Sequence, residues 1–160
     1  MQLKISCLLF FKNKTSRILL LQRKKSPNQG MWSPPGGKLN GLIGESPYEC
    51  AIRESFEEVG VRLTEDDLNL FGYVSEKNYE GANHWLMFLF DVKKVLSKLP
   101  NDFEEGNFGF FERKDINTLD IPPYDKKLVW PYYDKRNYGF WGIRADFSNK
   151  SPKIKVEAKP

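Results

Sequence analysis

The segment from residue 46 to residue 60 constrains this chain more than any other, because it reads as a capped helix carrying a chemical face. Ser46 can cap the helix, Pro47 suits its first turn, and Glu49 completes a capping box. Gly60 supplies a C-cap. The spacing predicts a helix over residues 47–59 that turns Tyr48, Ile52, Phe56 and Val59 toward a core. Glu54, Glu57 and Glu58 lie opposite at i, i+3 and i+4, so their side chains converge on one patch. Three anions there repel one another, in the half of the helix where the macrodipole disfavours negative charge. Each penalty is only roughly a few tenths of a kcal/mol in water. The patch therefore reads either as a solvated acidic face or as a binding site for a hard cation such as Mg²⁺, which prefers carboxylate oxygens. The glycine- and proline-rich loop just ahead of the helix favours the second reading.

Charge distribution points the same way. Residues 1–44 carry eight cations and no acid, residues 45–147 have a net charge of −7, and residues 148–160 have a net charge of +3. Cations for phosphates and carboxylates for metals are what a metal-and-phosphate site requires. The rival, a basic nucleic-acid surface, is disfavoured because the positive charge is not interleaved with aromatic residues along one stripe. A chain of 160 residues with 40% apolar content is expected to form one domain with its own core. Cys7 and Cys50 have no CxxC partner and read as buried free thiols, which suits a reducing compartment. No stretch approaches 18 apolar residues and no signal-peptide pattern is present, so the expected setting is cytoplasmic, with no membrane partner.

The remaining elements follow from alternation and punctuation. Residues 3–11 read as a strand with Ile5, Cys7, Leu9 and Phe11 on one face, and residues 17–22 as an almost wholly apolar central strand. Residues 24–38 read as a loop punctuated by Pro27, Gly30, Pro34, Pro35, Gly36 and Gly37, longer than a connection needs. Strands are expected at 68–74, 85–92 and 108–111, with a polar loop at 75–83 between the first two. Short helical pieces are expected at 114–119 and 125–135, the latter kinked at Pro131, and a closing strand within 138–147. Residues 148–160 are expected to be a basic, frayed tail. Helices and strands that do not alternate regularly predict an α+β or layered α/β/α domain around a mixed sheet over residues 1–147.

The run Gly37-Lys38-Leu39 … Gly44-Glu45 … Arg53-Glu54-Ser55-Phe56-Glu57-Glu58-Val59-Gly60-Val61 resembles the signature box of the Nudix hydrolases. In that family's pattern, G-x5-E-x7-R-E-U-x-E-E-x-G-U, the portion from Glu45 to Gly60 matches apart from one position, where Ser55 replaces a bulky apolar residue. The loop is also longer, with seven residues rather than five between Gly37 and Glu45. The preceding Gly30-Met31-Trp32-Ser33-Pro34-Pro35-Gly36-Gly37-Lys38 is similar to the family's entry into the box.

The resemblance implies a Nudix-like α/β/α sandwich and divalent-metal-dependent hydrolysis of a pyrophosphate linkage in a nucleotide. Glu54, Glu57 and Glu58 would ligate Mg²⁺ or Mn²⁺, with backbone groups near Gly37 and Lys38 helping to hold metal or phosphate. Arg53 would clamp a glutamate, and Glu45 would support the loop–helix geometry. Glu105 is the candidate further carboxylate, with Glu104 as runner-up; both also read as a solvated acidic loop. Arg23 and Lys38 are candidate phosphate contacts and Trp32 a candidate wall for a base, alongside Phe10, Trp85, Phe110 and Trp130. Glu58 or Glu105 would orient or deprotonate the attacking water. His84, the single histidine, reads as a hydrogen-bonding residue of the fold.

The preferred substrate is a nucleoside triphosphate, cut to monophosphate and pyrophosphate. Dinucleoside polyphosphates, for which Tyr79 is thin support, and ADP-ribose are alternatives. A Nudix-fold module that binds a nucleotide without cutting it is the rival from another class.

Overall fold

The computed structural model describes residues 2–26, 28–80 and 83–160. Pro27, read above as loop punctuation, and Gly81 and Ala82 of the predicted 75–83 loop lie outside them.

Strict alternation lets two strands serve two cores at once. In β1 (Leu3–Phe10), Cys7 and Leu9 enter one buried cluster while Phe10 enters the other. In β2 (Ile18–Arg23), Leu19 and Leu21 join the first cluster, and Ile18 and Leu20 the second. This explains the near-continuous apolar run of β2: both of its faces are buried.

The strands form two sheets. β2 pairs antiparallel with β3 (Trp32–Ser33) and β7 (Gly106–Phe111). The larger sheet contains β4 (Gly36–Lys38), β5 (Leu68–Tyr79), β6 (Asn83–Val92), β8 (Trp141–Asp146) and β9 (Lys153–Ala158), in the order β4-β1-β6-β5-β8-β9. The β1–β6 and β5–β8 pairs are parallel and the others antiparallel, so the sheet is mixed. The first core lies under α1 (Pro47–Glu54), and the second is covered by α2 (Arg113–Ile116), α3 (Asp125–Leu128) and α4 (Trp130–Asp134). The architecture is a Nudix-like α/β/α sandwich around a mixed sheet.

Several expectations are corrected. Residues 24–38 are not all loop, since β3 and β4 lie within them. β5 runs five residues past Val74, so much of the predicted 75–83 loop is strand. Residues 153–158, expected to fray, pair with β8 as an outer strand. On the predicted helix, the fully buried residues are Cys50, Ala51 and Ser55, with Glu54 nearly so, while Phe56 is 48% exposed beneath the Arg62 guanidinium. The buried line through Cys50, Ala51, Glu54 and Ser55 is set before the π-turn at Ser55–Val59 begins, and it leaves Phe56 on the far side of the helix. Ser55, which stands where the family pattern has a bulky apolar residue, is fully buried, and its hydroxyl donates to the Val61 carbonyl at 2.7 Å. Phe10 and Trp130, offered as base walls, are core residues, and Phe110 packs on the first core.

The extension of β5 brings in a residue with consequences for stability. Glu76 points to the same face as Val74 and is 8% exposed, and burial raises its carboxyl from 4.5 to about 7. Asp125, at the start of α3, is likewise raised to about 7, by burial and then by Glu76. A carboxyl raised in the native state holds its proton when the unfolded chain has lost it, so stability falls as pH rises from about 4.5 to 7. For Glu76 the displacement corresponds to at most about 3 kcal/mol. Thermal melts should therefore show a lower Tm at pH 8 than at pH 5.5, and Glu76→Gln should raise Tm at pH 8 while flattening that slope. An E76Q protein with an unchanged pH slope would show that this carboxyl does not govern it.

Candidate active site

The helix start is organised as its sequence suggests. Ser46 Oγ accepts from Glu49 N at 3.1 Å, and Glu49 Oε1 accepts from Ser46 N at 2.9 Å, closing the capping box. The helix end is closed by Gly60, whose φ of 77° is the left-handed conformation that glycine takes without strain. The longer loop ahead of the helix bulges outward as a 3₁₀ turn, Gly41–Ile43, leaving Leu42 and Ile43 exposed. Its two ends are tied together: Asn40 N donates to Glu45 Oε1 at 3.0 Å, and Glu45 N to the Asn40 carbonyl at 3.1 Å. The extra length is absorbed in the bulge, and Gly37 stays against the helix. A side chain at Gly37 would collide with the Glu54 carboxylate.

Arg53 joins these parts. Its Nε and Nη2 bond both oxygens of Glu45 at 2.7 and 2.8 Å, a two-point fork. Nη1 reaches Glu54 at 2.9 Å and Glu57 at 3.1 Å, and Nη2 also donates to the Lys38 carbonyl at 3.0 Å. The guanidinium holds the Glu45 carboxyl down to about 2, and the guanidinium's own ionisation is pushed further up, chiefly by Glu45.

Glu54 and Glu58 are in the opposite situation. Glu54 is 8% exposed, and burial outweighs the pull of Arg53 and raises its carboxyl. Glu58 is raised to about 9 by burial, then by the charges of Glu54 and Glu105. The charge of Glu54 acts directly on Glu58, and Gly36 N donates to Glu58 Oε2 at 3.2 Å. Such a pair holds a proton where a divalent cation would relieve the same repulsion.

Glu105 is exposed in the turn before β7, and its charge is felt at Glu58. Glu104 is exposed in the same turn. Arg23 ends β2 opposite Gly106, next to Lys24, whose N–H donates to the Glu105 carbonyl at 2.9 Å. Trp32, half-buried on β3, packs edge-on against Phe111 at 4.8 Å. Lys38 is exposed, with Nζ 5.8 Å from the Trp85 ring. Among the described residues no group of three or more His, Cys, Asp and Glu is gathered as a ready-made metal cage. The helix still suits Mg²⁺, which keeps several waters and uses one or two carboxylates together with substrate phosphates.

Cys7 and Cys50 are buried free thiols, their sulfurs 3.3 Å apart behind the site. His84 Nδ1 accepts from Asn78 N at 3.1 Å, a role within the fold. Glu76 and Asp125 were missed from sequence. An acid two residues beyond Val74 on an inward-facing strand position was the available signal, lost because the strand was ended at Val74.

An α/β/α sandwich that presents a capped, glutamate-bearing helix against a glycine-rich strand defines the scaffold of a pyrophosphate-cleaving hydrolase. The chain belongs to the NUDIX domain family, whose model matches residues 2–129 and whose members cleave pyrophosphate linkages in varied nucleotide-derived substrates. It is 30% identical over 127 residues to an ADP-ribose pyrophosphatase of Methanocaldococcus jannaschii, covering 78% of this chain and 70% of that one. It is 34% identical over 110 residues to an m7GpppN-mRNA hydrolase of Saccharomyces cerevisiae, of which it spans only 10%. In fold it is similar to a mutator MutT protein from Bacillus halodurans, with a TM-score of 0.73, 21% identity and coverage of 98% and 99% of the two chains. The NUDIX domain of Shewanella oneidensis NrtR, solved with ADP ribose, superposes with a TM-score of 0.65 at 16% identity, covering 86% and 88%. No helix among the described residues is long and apolar enough to cross a membrane.

The hub role of Arg53 can be measured. Lysine keeps the charge but cannot fork onto Glu45 while reaching Glu54 and Glu57. Arg53→Lys should cost about 2 kcal/mol, and lower Tm by about 4–8 °C. A thermal melt within 1 °C or so of the parent, roughly its error, would contradict that role.

Proposed function

We propose that the chain hydrolyses a pyrophosphate linkage in a nucleoside triphosphate, releasing monophosphate and pyrophosphate, with Mg²⁺ as cofactor and Mn²⁺ able to replace it. The observation that carries this reading is the Glu54–Glu58 pair, two carboxyls pressed together by burial where Gly36 and Gly37 approach the helix. Glu54, Glu57 and Glu58 would hold the ions, with Glu105 and the Gly37 carbonyl as further oxygen donors. When bound, such ions neutralise phosphate charge, acidify coordinated water and stabilise the leaving oxygen.

The chain's own residues do the rest. Arg53 keeps Glu54 and Glu57 in register with the loop. Lys38 and Arg23 offer charge to the phosphates, and Trp32 offers a flat apolar surface for a base. Glu58 or Glu105 orients or deprotonates the attacking water, and the charge of Glu105 reaches Glu58.

A second reading, ADP-ribose as substrate, is favoured by the archaeal relative, whose name is ADP-ribose pyrophosphatase. Both readings predict cleavage of one P–O–P linkage and differ in product. With Mg²⁺, ³¹P NMR should show monophosphate and pyrophosphate from nucleoside triphosphates. AMP and ribose 5-phosphate from ADP-ribose alone would replace the first reading with the second. Glu57→Gln should lower turnover on the order of 100-fold or more by neutralising a ligand, and leave the circular dichroism spectrum unchanged. Full activity in that variant, or in the parent after chelation of divalent ions, would overturn the metal assignment. A folded parent with no turnover on triphosphates, ADP-ribose or dinucleoside polyphosphates would make it a binding module.

A further inference from the structure

We propose that the open face of β5, β8 and β9 is a binding surface for single-stranded nucleic acid, separate from the carboxylate site. The inference stands apart from the substrate reading above.

Strand register gathers the surface. Tyr73, Ser75 and Lys77 alternate onto one face of β5; Gly142, Arg144 and Asp146 lie opposite them on β8, and Ala158, Lys155 and Lys153 follow on β9. The reverse face, through Val74, Ile143 and Ala145, is closed by the second core. The open face continues the side of the sheet that carries α1, which packs on β1 and β4 toward the other edge. Most of it lies past residue 129, where the family match ends.

Positive charge is concentrated here. Residues 135–160 carry a net charge of +5, against −1 for residues 1–134. Lys77, Lys153 and Lys155 are exposed, and Arg144 is held on the face by donating to Ser75 Oγ at 2.8 Å. The nearby acids are already engaged: Asp146 accepts from Ser148 N and Oγ, and Glu157 from the Tyr73 hydroxyl. Residues 135–144 also interleave Lys135, Arg136 and Arg144 with Tyr138, Phe140 and Trp141, and contain no acid. The expectation that cations and rings are not interleaved therefore fails at this end of the chain.

Rings lie where bases would stack. A side chain at Gly142 would collide with the Tyr73 ring, and the Tyr73 hydroxyl reaches Glu157, two strands away, at 2.9 Å. Tyr73 thus lies down across β8 rather than standing out from the sheet. Phe140 meets it at 5.9 Å, and Phe140 and Tyr138 are 38% and 76% exposed. Two clefts flank these rings. One, of about 350 Å³, is lined by Leu3, Ser75, Glu76, Lys77, His84 and Arg144; the other, of about 320 Å³, includes Asn69, Arg136, Asn137, Tyr138 and Phe140 in its wall.

A lipid surface or a polyanion without bases would call on the cations alone. Exposed rings beside cations match a strand whose bases are unpaired, because every base offers a π-face for stacking. From Tyr73 to Lys77 is about 13 Å, which faces about four phosphates along one strand. Lys77, Arg144, Lys153 and Lys155 stand beside that length.

The test is fluorescence anisotropy of the intact chain with labelled oligo(U) RNA and oligo(dT) DNA of about 12 nucleotides. EDTA is present, so that the carboxylate site binds no metal-bridged phosphate. Affinity should fall about 20- to 50-fold between about 50 and 200 mM salt, as three to four phosphate contacts require. Lys155→Gln should weaken binding and lessen the logarithmic salt slope by about 0.7. Phe140→Ala and Tyr138→Ala should each weaken binding about fivefold or more, the loss of one stacked base, and a duplex of equal length should bind about tenfold more weakly. Binding of the RNA, the DNA or both supports the inference and identifies the sugar. No binding of either strand at the lower salt, a duplex bound as tightly, or unchanged affinity in both folded alanine variants would overturn it. Should an alanine variant unfold, the Lys155→Gln slope and the duplex comparison decide. Pelleting with phosphatidylserine-containing vesicles without strand binding would replace it with a membrane surface. Glu57→Gln should bind the strands as the parent does; loss of binding there would place them at the carboxylate site instead.

Discussion

The site depends on one guanidinium. Arg53 ties the loop to the helix with directional bonds to Glu45, Glu54, Glu57 and the Lys38 carbonyl. A lysine would supply the same charge without the planar fork, so geometry rather than charge makes this residue the hub. The loop can then be two residues longer than the family pattern, because both of its ends are anchored and the surplus becomes a surface turn.

Around that hub the protein sorts its carboxylates by environment. Glu45 is paired and remains ionised far into acid, whereas Glu54 and Glu58 are crowded and desolvated, and hold on to a proton. The first kind serves as structure. The second kind stores a repulsion between carboxyls that water no longer screens.

The fold makes such an arrangement affordable. Alternating side chains of β1 and β2 divide between two cores, so the large sheet is packed on both sides. Its edge, β4, can then carry Gly36 and Gly37 close to the helix. The buried thiols Cys7 and Cys50 fill the space behind that edge and bring β1 and α1 together without polar cost.

Much of this was legible in the sequence. Capping residues, the i, i+3, i+4 glutamates and the C-terminal glycine act within one helical turn, so Ser46, Glu49, Glu54, Glu57, Glu58 and Gly60 announce themselves locally. β2 was legible because a strand buried on both faces must be apolar throughout. What failed were readings that depend on tertiary partners. Phe56 was assigned to the core with the large side chains of its helix, whereas the face that packs runs through Cys50, Ala51 and Ser55, and β5 was ended where its polar residues began. Its continuation is held by β6 and β8, partners distant in sequence. β9 was read as a tail because its lysines look solvated, and only pairing with β8 makes it a strand. Local chemistry thus determined the family, the helix and its acids. Tertiary structure alone decided which of those acids are desolvated, that Glu76 is buried, and where the sheet ends, because each depends on burial and on neighbours that no short stretch of chain contains.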